Sequence, residues 1–182
     1  MTWGELSGWV PNWKSGSEQI AGQANALVGR IGHVAVEAWL AWHEEADHWF
    51  VDLPVVIVFD DGEQLELCWQ KFDDLSVSRN TIDLSVAPLA WVKSPLSWRR
   101  AVHPALAAFE GSTVVGVAAT QHLFTTVDAD YPHRKETGRW LDGGLWFNST
   151  SGGLHVYNAL DENGLSNSAP KDSARSRLRW LP

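Results

Sequence analysis

Hydrophobic and polar positions alternate along residues 33–43, where Val34, Val36, Ala38, Leu40 and Trp42 share one parity and His33, Glu37 and His43 the other. A period of two predicts a half-buried β-strand. Residues 53–59 are apolar on both parities and rich in valine, the pattern of a central strand covered on both faces. Asp60-Asp61-Gly62-Glu63 then reads as a hairpin turn, because Asp-Gly tolerates the positive φ that a tight hairpin needs. Residues 64–70 alternate again and turn Leu65, Leu67 and Trp69 inward.

The same series is written a second time. Trp9-Val10 followed by Trp13 returns as Trp91-Val92 followed by Trp98, and Ala-rich stretches at 21–28 and 101–109 each lead into a glycine and an apolar strand. Val34, Val36 and Ala38 fall on Val115, Val117 and Ala119, 81 residues later. Leu53, Ile57 and Phe59 fall on Leu141, Leu145 and Phe147, and Leu65 and Leu67 on Leu154 and Val156. Each copy ends on an acidic corner, Asp73-Asp74-Leu75-Ser76 and Asp161-Glu162-Asn163-Gly164-Leu165-Ser166.

The expectation is a mainly β fold, with α+β as its variant. It is built by internal duplication of a short helix plus an antiparallel meander of three or four strands, packed as a pseudo-twofold sandwich or a partly closed barrel. The chain divides into repeat 1 at 9–79, a connector at 80–90, repeat 2 at 91–168 and a basic C-terminal tail at 169–182. The expected core is Val34, Val36, Ile57, Phe59, Leu65, Leu67, Val115, Val117, Leu145, Phe147, Leu154 and Val156.

Charge and composition narrow the partners more than the fold. The chain of 182 residues carries a formal charge of -8; residues 171–182 hold Lys171, Arg175, Arg177 and Arg179 against Asp172, a net +3, which leaves -11 on the rest. An acidic body repels phosphate backbones, so nucleic acid is an unfavourable partner and a basic protein a favourable one. The tail is expected to lie on its own acidic body. With Cys68 alone there is no intrachain disulfide, Met1 leads into no basic and apolar leader, and the expected location is cytoplasmic. No apolar stretch approaches the roughly 20 residues of a membrane helix. Twelve tryptophans are read mainly as core, ten of them falling inside the two repeats.

Chemical signatures are few. No Gly-x-Ser-x-Gly elbow, phosphate loop or dinucleotide fingerprint occurs. The densest polar loop is Trp42-His43-Glu44-Glu45-Ala46-Asp47-His48-Trp49, and its counterpart in the second copy holds Asp128, Asp130 and His133. The candidate ligand-binding set is therefore Trp42, His43, Glu44, Glu45, Asp47, His48, Asp128, Asp130 and His133. The His-x4-His spacing is not the His-Glu-x-x-His that sets two imidazoles on one helical face around zinc, so the expectation is a solvated hairpin tip with no metal and no cofactor. Cys68 lies on the outward parity of its strand and has no histidine assigned to activate it. The favoured reading is a non-catalytic interaction protein of the inhibitor or immunity type, presenting an acidic surface to a protein partner. The alternatives are a small-molecule or sugar-binding module with a Trp-lined cleft, and a metal-dependent enzyme using the His43–His48 loop.

Overall fold

Ser15 opens the first helix as its spacing to Glu18 dictates. Its hydroxyl accepts the Glu18 amide at 3.4 Å and donates to the Glu18 carboxylate at 2.9 Å, which satisfies an otherwise orphaned helix-end donor. The second helix starts with Pro104 in its first turn, where a missing N–H costs nothing. The computed structural model describes residues 9, 11–89, 93–127 and 136–182. Its elements run β1 (Lys14–Ser15), α1 (Gly16–Val28), β2 (Ala35–His43), β3 (His48–Trp49), β4 (Val55–Phe59), β5 (Gln64–Gln70), β6 (Asp74–Arg79) and β7 (Leu96–Arg100). They continue as α2 (Pro104–Phe109), β8 (Val114–Val127), β9 (Glu136–Ser149), β10 (Gly152–Asn158), β11 (Asn163–Ser166) and β12 (Ser176–Trp180).

Two open antiparallel sheets pack on one another as a sandwich, not a closed barrel. The first is ordered β1-β6-β5-β4-β2-β3 with β7 also on β2, and the second β11-β10-β9-β8-β12. The run β6-β5-β4-β2-β7 in one sheet thus reappears as β11-β10-β9-β8-β12 in the other, each following a helix. An isolated β-bridge, Val34 to Thr113, joins the two copies at positions 79 residues apart. Around it the backbone hydrogen bonds come in matched pairs. Gly32 N–H donates to the Val114 carbonyl and Gly111 N–H to that of Ala35, each at 2.8 Å. Val114 N–H donates to His33 at 2.9 Å and Ala35 N–H to Ser112 at 3.1 Å; Asp60 N–H donates to Val34 and Thr150 N–H to Thr113, each at 3.0 Å. Exchanging each residue for its counterpart turns each bond into its mate, which is what a local twofold axis through the bridge requires. Gly32 and Gly111 sit at φ 90° and 76°, a conformation that glycine adopts without steric penalty.

The same bonds correct the alignment read from apolar spacing. Both β2 and β8 carry a register shift at their start, between Ala35 and Glu37 and between Val114 and Gly116. The extra residue of such a bulge is lifted out of the ladder, so Val36 and Val115 are exposed and Val34 is only half-buried, contrary to the expected core. Ala35, Ala38 and Leu40 in one strand, and Val114, Val117 and Ala119 in the other, point inward instead. The other nine expected core residues are buried. The strand order also puts β7 in the first sheet, although its residues fall in the segment read as repeat 2. β12, within the segment read as a tail, holds the equivalent edge of the second sheet. Arg179 of β12 reaches the buried Asp142 at 2.9 Å, so this segment lies on its own acidic body.

The first sheet buries its outer face too. Trp9, Ala41, Phe50, Leu53, Val56, Cys68, Ile82 and Leu96 form a second apolar cluster, with Trp13, Trp39, Leu84 and Trp98 packed against it. This explains why residues 53–59 are apolar on both parities: Val55, Ile57 and Phe59 face the main core and Val56 the second. The outward parity of β5 is therefore not solvent-facing. Cys68 is fully enclosed there, and burial pushes its thiol up to about 12, which leaves it no nucleophilic thiolate near neutral pH.

The second sheet covers its outer face with its own rings. A Cβ on Gly116 would meet the Trp180 ring at 2.9 Å, one on Gly153 the Trp146 ring at 2.4 Å, and one on Gly164 the Tyr157 ring at 2.4 Å. These glycines thus leave the room that the aromatic side chains occupy. His155 is buried among them, its Nε2 2.9 Å from the Thr120 hydroxyl, and burial lowers its pKa to about 4. Between pH 6.5 and 4 the unfolded chain therefore holds a proton that the folded chain does not, so stability rises with pH across that window. His155 is expected to account for a loss of about 3 kcal/mol on going from pH 7 to pH 4. Urea melts of wild type and His155→Gln at both pH values isolate it: an equal acid loss in the two proteins would refute the assignment.

Candidate functional site

The hairpin that carries the sequence-selected residues is built as a closed ion-pair cluster. His43 and His48 are cross-strand partners of β2 and β3, and their rings stack with centroids 5.3 Å apart. His43 Nδ1 accepts the Ala46 amide at 3.0 Å, and the Ala46 carbonyl lies 3.3 Å from His48 Nδ1. Glu45 and Asp47 are exposed, as at a hairpin tip, while Glu44 is half-buried. Arg99, brought alongside by β7, pairs with Glu44 at 2.6 Å and Asp47 at 3.4 Å and lies over the Trp42 ring at 5.0 Å. Hydrogen bonds from Arg99 and Ser97 hold the Glu44 carboxyl below its ordinary range. Glu45 accepts the Ser94 hydroxyl at 2.7 Å, and Trp42 Nε1 donates to Asp47 at 3.0 Å. The loop's acids and one imidazole nitrogen are thus committed to protein partners. Asp128, Asp130 and His133 lie outside the described residues, as do Trp3 and Trp91.

One group of potential metal ligands among the described residues escaped the sequence reading because the pairing of β2 with β4 brings together residues 27 positions apart. His33, Asp60 and Asp61 place three ligand atoms within 4.8 Å of one another. His33 Nδ1 is 2.8 Å from Asp60, and Arg30 Nη1 is 2.9 Å from Asp61. The His33 contact holds the Asp60 carboxyl low; the Glu63 amide, and then Arg30, do the same for Asp61. The Arg30 guanidinium supplies positive charge to Asp61 and Glu63, while Asp60 is held by His33.

A different surface emerges at the far end of the sandwich, where the β5–β6 and β10–β11 hairpin tips meet. Asn158 Nδ2 donates to the Lys71 carbonyl at 2.8 Å, and the Lys71 amide donates to the Asp161 carboxylate. In the ladders, Leu75 pairs with Trp69 and Asn163 with Asn158, at corresponding starts of β6 and β11. Phe72-Asp73-Asp74 therefore corresponds to Leu160-Asp161-Glu162, an apolar residue followed by two acids in each copy. Phe72 is 55% exposed and Leu160 87% exposed. Phe72 touches Phe124 on the long β8–β9 ribbon, ring centroids 4.9 Å apart, and with Thr126, Thr137, Gly138, Arg139 and Leu141 they line a shallow apolar groove.

The Leu160 tip is locally expensive. Ala159 N–H donates to the Glu162 carbonyl at 2.8 Å, closing a four-residue turn whose central residues, Leu160 and Asp161, have φ of 65° and 84°. That geometry favours Asn-Gly; leucine there is disfavoured by about 1 kcal/mol or more. Carboxylates crowd around it. Burial first, then the charges of Glu162 and Asp161, raise the Asp52 carboxyl above its ordinary range, and burial does the same for Asp73. Only the recurrence of the acidic corner was visible beforehand; the apolar residue in front of each corner was the missed signal. No family model matches the chain, and neither the curated proteins nor the solved structures compared with it yield a match.

Proposed function

We propose that the protein is a non-catalytic interaction protein of the inhibitor or immunity type, whose contact surface is the pair of hairpin tips Phe72-Asp73-Asp74 and Leu160-Asp161-Glu162. The observation that carries this reading is Leu160: a large apolar side chain, almost wholly exposed, held at a backbone angle that favours glycine or asparagine. Strain of this kind persists where something other than stability selects it. The chemistry names the partner's complement. Two apolar knobs set among Asp52, Asp73, Asp74, Asp161 and Glu162 fit a protein surface with an apolar socket rimmed by lysine and arginine, where buried anchors supply affinity and the rim charges supply encounter rate.

Leu160→Asn tests the reading because it separates function from folding. Asparagine tolerates the left-handed region, so the variant is expected to gain about 0.5–1 kcal/mol in urea melts. It is also expected to lose the partner. With the protein as bait in its native cells, the proposal expects a basic protein recovered by wild type and by Val115→Ser, at the other end of β8, but not by Leu160→Asn combined with Phe72→Ser. Equal recovery by all three baits, or no protein held by wild type above the double variant, would sink it.

A further inference from the structure

Away from the hairpin tips, the outer face of the second sheet contains a small cleft made by paired irregularities in β8 and β9. Thr120 pairs with Gly144 and Gln121 with Asp142, so Gly143 is left over as a bulge. Bulged strands turn adjacent residues toward one face, and here both glycines are covered by polar side chains. A Cβ on Gly143 would lie 2.6 Å from His122 Nδ1; one on Gly144 would lie 2.5 Å from the Thr120 hydroxyl and 2.6 Å from His155 Nε2. The two glycines thus keep open the space into which two imidazoles and a hydroxyl converge. Tyr157, Asn158, Pro170 and Ser176 complete the wall.

Among the described residues, no Asp, Glu, Lys or Arg side chain lines the cleft. Gln121 spans Asp142 at 2.7 Å and Arg177 at 2.8 Å, and Arg179 takes the other Asp142 oxygen at 2.9 Å. Arg177 lies over the Trp140 ring at 4.0 Å. Asn158 is committed to Lys71 and Asp161. His155, nine-tenths buried, is a neutral imidazole. What remains to meet a guest is the His122 ring, the Tyr157 hydroxyl and the hydrogen-bonding capacity that the buried Thr120 hydroxyl keeps beyond its bond to His155, beside a tyrosine ring that packs at 4.7 Å on His155. The cleft measures about 160 Å³. That is the space of about five waters, too little for a drug-sized ligand and enough for one sugar ring. A flat base would need a ring on each side, and the cleft offers one.

We infer that this cleft, formed by Gly143 and Gly144 beneath Thr120, His122, His155 and Tyr157, binds a neutral polyhydroxylated small molecule of monosaccharide size. Ring C–H groups lie on Tyr157, and hydroxyls exchange hydrogen bonds with Thr120 and His122. The wall meets the hairpin tips at Asn158, but none of the residues that hold the guest belongs to the tip triplets, so the two proposals are tested separately.

The test is a titration of the full chain, followed by imidazole NMR, with glucose, galactose, mannose and N-acetylglucosamine, and with glucuronate and glucosamine as charged controls. Saturable shifts of the His122 and His155 ring signals are expected with at least one neutral sugar and with neither control. Gly143→Ala displaces the exposed His122 ring and is expected to weaken binding at least tenfold while melting like wild type; Thr120→Val removes the hydroxyl at constant shape and is expected to weaken binding at least tenfold, with some loss of stability because His155 loses its partner. No saturable shift with any neutral sugar overturns the inference. So does equal or tighter binding of a charged control, or undiminished binding by either variant. If Thr120→Val melts early, the decision rests on Gly143→Ala.

Discussion

Replacing Glu66 with Leu is expected to cost about 3–5 kcal/mol, the loss that follows when a buried group leaves its partners unpaired. The carboxylate is buried in the second apolar cluster and accepts five hydrogen bonds. These come from Gln64 Nε2 at 2.8 Å, the Thr81 amide at 2.6 Å, the Ile82 amide at 2.8 Å, and the Ser78 and Thr81 hydroxyls. Through Ser78 it also reaches the Trp9 indole, which donates to that hydroxyl at 3.0 Å. Leucine fills the space but accepts nothing, so two backbone amides and two hydroxyls lose their acceptor in an apolar setting. Glu66→Gln keeps the shape and turns a donating amide toward donors, so it is expected to fall between wild type and Leu. The Thr81–Ile82 segment carries Ile82 into the second cluster, so tryptophan emission is expected to shift red in the folded baseline of Glu66→Leu. Urea melts showing a loss under about 1 kcal/mol would mean that the loop is anchored elsewhere.

Glu66 also shows where sequence reading stops. Its parity on β5 was legible, but solvent was the wrong inference, because the cover is supplied by Trp9, Ile82, Leu84 and Leu96, which show no period of their own. The central strands β2, β4 and β5 and their counterparts β8, β9 and β10 were legible because each buried face imposes a period of two over five or more residues. The bulges at Val36 and Val115 were not, since a one-residue insertion among Val, Ala and Gly leaves the apolar spelling intact while reversing the faces. The partners of the His43–His48 loop were hidden for another reason. Arg99 lies far along the chain, and only β7 pairing with β2 delivers it to Glu44 and Asp47. At the hairpin tips, tight-turn rules look for glycine or asparagine, and Ala159-Leu160-Asp161-Glu162 satisfies the geometry without either.

Phe59→Ala and Phe147→Ala are each expected to cost about 3–5 kcal/mol, and to do so within a single unfolding transition. The two phenylalanines are not twofold mates: in the ladders Phe59 pairs with Ala35 beside the axis, whereas Phe147 pairs with Val117 and Leu154 in the middle of its sheet. Phe59 lies under the Arg30 guanidinium at 5.3 Å; Phe147 packs at 6.3 Å from Phe109 of α2. Both are fully buried, and both belong to one apolar cluster that takes residues from β2, β4, β5 and β6 of one sheet and β8, β9, β10 and β11 of the other. A cavity opened in either half therefore removes contacts that hold both halves. Neither half can keep its own face covered once the other has unfolded, because each meander presents an apolar side that only its counterpart shields. Circular dichroism and tryptophan emission are thus expected to report the same urea midpoint in each variant, displaced from wild type without a plateau. Two separated transitions in either variant would show that the sheets are independently stable units. Losses under about 1 kcal/mol at both sites would show that these rings are not packed in a common core.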